Sequence, residues 1–563
     1  MNTRVVGAAI AAIVVFYAVL GLVVLAPESV YSGDIGVKYV QAQSLVERRF
    51  TSLDIPYPGE FLDPDRSFFP LRPPFVMTTG GETQAIFPPV SAVLQAVVVG
   101  VAGFRGMIAL SIAAAAIVLV AACRLAPAPQ RLAVAIAVGL GGPLWFYAVS
   151  GWEHAPAVAC GTAAFAWALR ARSDSRFAGF IPGALIGAGA ALRDEVMLLA
   201  PGLLLAMWMR DRSWRSAVRV IAGVLVPLAM SAAVEVWWFD RPPAAHLRHA
   251  VHLLQSALHV TSEPNPDVPV LRPMTLRERY DTVVTYWMFG RGTDRQVAAF
   301  AGSLLVAFFV RWRWRSSAGL LIWLLAFGAT AAGDLWEVVT APKWLAGLVR
   351  VSPFVVCALF PFAPGDANVA PRGRVERRLP VLMLATATAY LLVAYAGVDT
   401  SGGKSLGPRL LLPLLPLLSV SALTIVASHL RSTLAIDRLV GFAGTALVAV
   451  AVVIHLGGTI PAYKQRNADD ASAVLAAAAS PERIVVADDM YTAQLLFPLY
   501  DRKIVLLADT TALGERLGLL LSQQRLSGAL LVSRNPEPAI MLPPLKIART
   551  DQRGRMVVQV WTR

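Results

Sequence analysis

Tyr31-Ser32-Gly33-Asp34-Ile35-Gly36-Val37-Lys38-Tyr39 follows almost directly on an apolar stretch, Val5 to Leu25, and the junction between the two decides how the chain is read. The apolar stretch runs for about 21 residues, enough for a helix to cross a hydrocarbon core of roughly 30 Å. Arg4 stands on its N-terminal side, so the positive-inside tendency keeps the N-terminus in the cytoplasm and puts Asp34 on the outer face. Cleavage as a signal peptide is disfavoured, because the one small-residue site, Leu25-Ala26, is followed at once by Pro27. A carboxylate held just outside a membrane, at the mouth of a helix bundle, suits the activation of a hydroxyl against a lipid-borne substrate.

The rest of the chain carries the membrane reading through. Of 563 residues, 56% are hydrophobic and only 15% charged. Soluble domains run near 25% charged, so this composition is that of a polytopic membrane protein. The formal net charge of +14 does not point to nucleic acid. Its basic residues come in short clusters between apolar segments: Arg170/Arg172/Arg176, Arg210/Arg212/Arg215/Arg219, Arg311/Arg313/Arg315 and Arg372/Arg374/Arg377/Arg378. That is the positive-inside pattern rather than a binding stripe. Cys123, Cys160 and Cys357 lie far apart, within or beside apolar segments, and read as core residues with no disulfide or metal framework.

Apolar segments occur near 5–25, 87–103, 105–123, 131–149, 155–170, 177–192, 196–209, 217–239, 296–310, 318–333, 350–363, 380–397, 409–429 and 437–457. If all of them spanned, Arg124/Arg131 and Arg170/Arg172/Arg176 would face outside. Demoting 87–103 to a helix that lies at the outer surface, or dips in and out, restores the charge rule everywhere. Its start at Phe87-Pro88-Pro89 and its break between Gly103 and Gly106 fit that demotion. About thirteen transmembrane helices then remain, with outer-face juxtamembrane helices, the N-terminus inside and the C-terminus outside. Residues 177–192 make a short span with Gly179, Gly183 and Gly187 at four-residue spacing, a surface for close helix contact.

Three large outer loops are expected: 27–86, 240–295 and 334–349. The chain then divides into a transmembrane catalytic domain, 1–458, and a small extracytoplasmic α/β domain, 459–563. In the latter, Ile484-Val485-Val486-Ala487, Ile504-Val505-Leu506-Leu507 and Ala529-Leu530-Leu531-Val532 have the length and composition of buried strands. Helical stretches, Thr492 to Leu499 and Leu513 to Gln524, alternate with them.

Candidate site residues gather at the outer ends of the spans. Asp34 and Lys38 are four apart, share a helix face and can pair. Ser150-Gly151-Trp152-Glu153-His154-Ala155 is a tight turn that offers an acid and an imidazole to the same side as Asp34. Arg193, in Leu192-Arg193-Asp194-Glu195, caps the short Gly-rich span; a cation at that depth is a functional candidate, or else pairs locally with Asp194 or Glu195. Lys404 and Arg409 lie in Ser401-Gly402-Gly403-Lys404-Ser405-Leu406-Gly407-Pro408-Arg409, where glycines permit close backbone approach and two cations can hold a phosphate. The stretch lacks Walker spacing. Lys343 marks a further outer re-entry, Thr340-Ala341-Pro342-Lys343-Trp344. His246, His249, His252 and His259 have a spacing compatible with metal, but no Cys or paired acid completes a ligand set, so the stretch reads as a surface-lying amphipathic helix.

Taken in order, Ser32-Gly33-Asp34, Trp152-Glu153-His154, Leu192-Arg193-Asp194-Glu195 and Gly402-Gly403-Lys404-Ser405-Leu406-Gly407-Pro408-Arg409 make the chain resemble bacterial GT-C membrane glycosyltransferases. This superfamily includes the protein O-mannosyltransferases, aminoarabinose transferases and family 39-like enzymes. The resemblance covers nearly the whole chain. It implies a GT-C fold in a bacterial cytoplasmic membrane and inverting transfer of a sugar from a polyprenyl-phosphate donor to a glycan, lipid or protein acceptor. The first-loop acid, Asp34, is then the general base, and Glu153 is the second outer acid, where many relatives have Asp. Arg193-Asp194-Glu195 replaces the Arg-Pro-Glu frequent in relatives, which keeps the cation and alters the turn.

On this reading Arg193, Lys404 and Arg409 neutralise the donor phosphate, and Lys38, His154 and Lys343 are accessory. No cofactor or metal is expected beyond the lipid-linked donor, and no nucleic acid. Two other classes compete. A transporter or lipid flippase implies internal inverted repeats and ionisable groups at mid-membrane depth, and neither is evident. A polysaccharide ligase or polymerase implies a diphosphate-linked glycan instead.

Overall fold

The computed structural model describes residues 3–79, 82–170, 177–239, 274–290, 293–314, 316–341, 345–363, 374–397, 406–526, 528–538 and 540–563. The histidine-bearing stretch, Lys343 and Lys404 lie outside them. The protein is a polytopic α-helical membrane protein with a sheet domain at its C-terminal end. Among the described residues, eight helices are long and apolar enough to cross a membrane, beginning with Thr3–Val24. Leu225, Leu305, Ile322, Leu392 and Phe442 on these helices are exposed. In water such side chains would cost free energy; on a spanning helix they face lipid.

Several of the other apolar segments are realised as shorter pieces. Residues 131–149 break into Arg131–Gly139 and Leu144–Val149 at Gly141-Gly142-Pro143. Residues 350–363 form a single turn, Leu348–Val351, and then a 3-10 stretch, Pro353–Leu359, that starts at a proline. The expected break after the Pro-Pro start is present. Helix Pro89–Leu125 is interrupted at Ala102 and Gly103, and Gly103 takes φ 57°, ψ −145°. That combination is open essentially to glycine alone. The short Gly-rich helix Phe180–Leu192 packs tightly on Trp214–Ala233: a Cβ on Gly183 would lie 2.1 Å from the Val220 carbonyl oxygen.

Helix Ala435–Ala479 is continuous and carries the chain from the bundle into the sheet. The sheet has the order β4-β3-β5-β7-β6, with β3 (Ile484–Ala487), β4 (Ile504–Leu507), β5 (Gly528–Ser533), β6 (Lys546–Arg553) and β7 (Met556–Thr562). β3, β4 and β5 are parallel and almost wholly buried, as their unbroken apolar runs require. β6 and β7 add an antiparallel hairpin that the short apolar runs did not reveal. A second hairpin, β1 (Val76–Thr79) with β2 (Glu82–Ala85), stands in the first large loop.

That loop is fastened to the sheet domain. Arg466 donates to the Tyr31 carbonyl at 2.7 Å with its guanidinium 4.2 Å from the Tyr31 ring centroid. The Asn467 amide accepts from Ala26 N–H at 2.8 Å and donates to its carbonyl at 3.1 Å. Leu507 N–H donates to the Phe68 carbonyl at 2.9 Å. Helix Gly33–Glu47 lies against Met490–Leu495, and Gly36 makes the contact possible: a Cβ there would stand 2.1 Å from the Gln494 carbonyl oxygen. The sheet domain therefore fixes the helix whose first turn carries Asp34.

Candidate functional site

Asp34 sits in the first turn of helix Gly33–Glu47, where backbone N–H groups favour a carboxylate. It is buried, and the Ser32 hydroxyl donates to its Oδ1. Its Oδ2 accepts from Arg409 Nη1 at 3.0 Å, across 375 residues of sequence. Arg409 opens the 3-10 stretch Arg409–Leu414 immediately after Pro408, which starts that turn and aims the side chain back at the loop helix. The sequence-level pairing of Asp34 with Lys38 is not the one formed. Helix spacing brings those two side chains to one face, but each finds a closer partner on another element.

Lys38 reaches Glu153, with Nζ 2.6 Å from Oε1 and both side chains 2% exposed. Its ammonium also lies 3.9 Å from the centre of the Phe87 ring. Glu153 stands in the turn Ser150–His154, which Gly151 closes at φ 77°. Arg193 donates to the same Glu153 oxygen at 3.0 Å and, through Nε, to Glu195 at 2.9 Å. The local option for Arg193 is thus realised with Glu195, and a second carboxylate is added from another helix end. Burial opposes charge on Glu153, but Lys38 and Arg193 outweigh it and lower its pKa to about 2. Gln95 completes the set, its amide 3.5 Å from Glu153 Oε2.

His154 and Trp152 continue from the same turn. Their ring centroids are 5.0 Å apart, and the Arg409 guanidinium lies 5.8 Å from the Trp152 ring. Asp34, Lys38, Glu153, His154, Arg193 and Arg409 therefore form one cluster. Four ion pairs, Lys38–Glu153, Arg193–Glu153, Arg193–Glu195 and Arg409–Asp34, set three carboxylates against three cations among the described residues. Gln95 was missed from sequence, although a lone amide in the apolar stretch 89–102 is a detectable signal.

A buried carboxylate beside an arginine thus stands at one end of the helix bundle, next to the attached sheet domain. No protein-family model matches the chain, and no curated protein matches it in sequence. The likeness is structural. The crystal structure of ArnT from Cupriavidus metallidurans bound to undecaprenyl phosphate aligns with a TM-score of 0.51 at 14% identity, covering 100% of this chain and 98% of that one. The same protein in the apo state aligns at 0.47 and 14%, covering 98% and 97%. The Archaeoglobus fulgidus oligosaccharyltransferase in the apo form aligns at 0.44 and 9%, covering 94% and 70%. The first of these alignments gives the chain the GT-C fold that the sequence resemblance implied.

Proposed function

We propose that the chain is an integral membrane glycosyltransferase, which transfers a sugar from a polyprenyl-phosphate donor to an acceptor hydroxyl with inversion, on the extracytoplasmic face. The observation that carries this reading is the buried Asp34–Arg409 pair, a base and a phosphate-binding cation on adjoining elements. The fold shared with a protein crystallised with undecaprenyl phosphate supports a lipid-phosphate ligand.

In the proposed step the donor phosphate competes with Asp34 for Arg409, whose planar fork suits phosphate oxygens. Asp34 is left with an oxygen free to take the acceptor hydroxyl proton. The acceptor oxygen attacks the anomeric carbon as the bond from that carbon to the phosphate oxygen breaks. The polyprenyl phosphate leaves with the bonding electrons, its growing charge held by Arg409 and by Lys404 five residues before it. A phosphate leaving group needs no protein acid. Glu153, saturated by Lys38 and Arg193, acts on this reading as the counter-ion that positions them rather than as a base.

The test is the lipid-linked glycan and envelope polysaccharide profile of a strain lacking the protein. Loss of one sugar residue, restored by the wild-type gene and not by Asp34→Asn, is expected. An unchanged profile with altered lipid distribution between leaflets would sink the reading in favour of a flippase.

A further inference from the structure

Every carboxylate in the cluster is paired, yet three neighbouring groups end in polar atoms with no hydrogen-bond partner among the described residues. They are Nε1 of Trp152, both ring nitrogens of His154 and Nε of Arg409. Trp152 and His154 are fully buried, with 0% and 1% of their surface exposed. Indole N–H and arginine Nε–H can only donate, and a neutral imidazole donates from one nitrogen. Buried donors are nearly always satisfied, so a group of them around a single indole marks a missing acceptor. The Asp34 oxygens accept from Ser32 and from Nη1 of Arg409, and none of these other donors reaches them. Arg193 is committed to Glu153 and Glu195.

We propose that Trp152, His154 and the Nε edge of Arg409 form a seat for a phosphate oxygen, filled by the donor's phosphate. This rests on the glycosyltransferase reading and deepens it. Among the described residues the charges of the cluster already cancel, three against three. An incoming phosphate is therefore met, among these described residues, by neutral N–H donors together with Arg409, whose Nε is unpartnered. The seat excludes Arg193 and recruits two residues that carry no charge of their own to the site. It also gives the Trp152-Glu153-His154 turn two tasks: Glu153 anchors the cations, while its two neighbours face the ligand.

The experiment uses the full-length protein in nanodiscs and measures binding of undecaprenyl phosphate, undecaprenol and inorganic phosphate to wild type, Trp152→Phe, His154→Phe and Arg409→Lys. Wild type should prefer undecaprenyl phosphate to undecaprenol. Each variant should lose that preference by roughly ten-fold or more, the scale of a hydrogen bond to a charged group, with undecaprenol binding unchanged. Melting without ligand checks the fold. Arg409→Lys keeps the charge at a partly exposed side chain, so it reports even if an aromatic variant unfolds. Wild-type preference in Trp152→Phe and His154→Phe would overturn the seat while leaving the glycosyltransferase reading intact. No preference in wild type would overturn the lipid-phosphate donor itself. Inorganic phosphate bound as tightly as the lipid, and lost in the same variants, would keep the anion seat and overturn its lipid occupant.

Discussion

Arg409 Nη1 lies 3.0 Å from Asp34 Oδ2, so the acid read as the general base is held by the cation read as its phosphate ligand. The two roles are then coupled: Asp34 becomes free only as Arg409 turns to another anion. Replacing Asp34 by Asn removes the base and releases the arginine together. Turnover should fall by about 10²–10⁴-fold, the usual loss for a general base. Donor affinity, measured on the same preparation, should be retained or rise. A fall in affinity matching the loss of turnover would make Asp34 part of the donor site instead.

Arg193 and Arg409 should behave differently despite their similar positions. Arg193 bridges Glu153 and Glu195 with a side chain only 13% exposed. Removing one member of a buried pair strands the other, at a cost of about 3–5 kcal/mol. Arg193→Ala should therefore lower the unfolding temperature in detergent markedly. Arg409→Ala strands Asp34 alone, which keeps its Ser32 bond, and removes a more exposed side chain; it should lower that temperature less and should weaken donor binding. Equal thermal losses in the two variants would remove the distinction.

The residues that meet in this cluster stood out in the sequence one by one, because acids and cations at the ends of apolar segments are rare. Their partners were not. Sequence spacing offers only local pairs, such as Asp34 with Lys38, whereas Lys38 pairs with Glu153 across 115 residues and Asp34 with Arg409 across 375. Arg193 was partly legible, since Glu195 lies two residues on. The parallel strands β3 to β5 stood out as unbroken apolar runs. The β6–β7 hairpin did not, because β6 is mostly exposed and polar and so has no apolar alternation to read. Its signal was Arg553-Gly554-Arg555, a turn with Gly554 at φ 58°. Helix breaks at Gly103 and at Gly141-Gly142-Pro143 were written in glycine and proline; how the pieces repack depends on contacts between distant segments.

Glu153 makes stability depend on acid. Its folded pKa of about 2 lies below the ordinary value of 4.5. A depressed carboxylate stabilises the fold fully above the unfolded pKa and loses that contribution as pH falls toward the folded one. The unfolding temperature in detergent should thus drop from about pH 4.5 downward. Glu153→Gln should start lower at neutral pH and lose less on acidification. Parallel curves for the two proteins would show that Glu153 is not the group titrating.

The last prediction concerns which way the bundle faces, and it rests on the basic clusters outvoting hydropathy at 87–103. Helix Pro89–Leu125 carries its break at Gly103, which divides an initial piece beginning at Pro89 from the remainder. With the N-terminus inside, the first loop lies outside; if the initial piece does not span, the Arg210/Arg212/Arg215/Arg219 cluster lies inside. Ser150 is buried, so a cysteine there would report poorly. Glu60 and Arg215 are exposed and suit the purpose. In a background with Cys123, Cys160 and Cys357 replaced, a cysteine at Glu60 should react with an impermeant maleimide in intact cells. One at Arg215 should react only after permeabilisation. Labelling of Arg215 from outside would mean that the Pro89 piece crosses the membrane. Asp34, which precedes that piece, would stay outside, while the Glu153 turn and Arg409 would turn to the cytoplasm, against the 3.0 Å pair between Arg409 and Asp34 on which the proposed transfer rests.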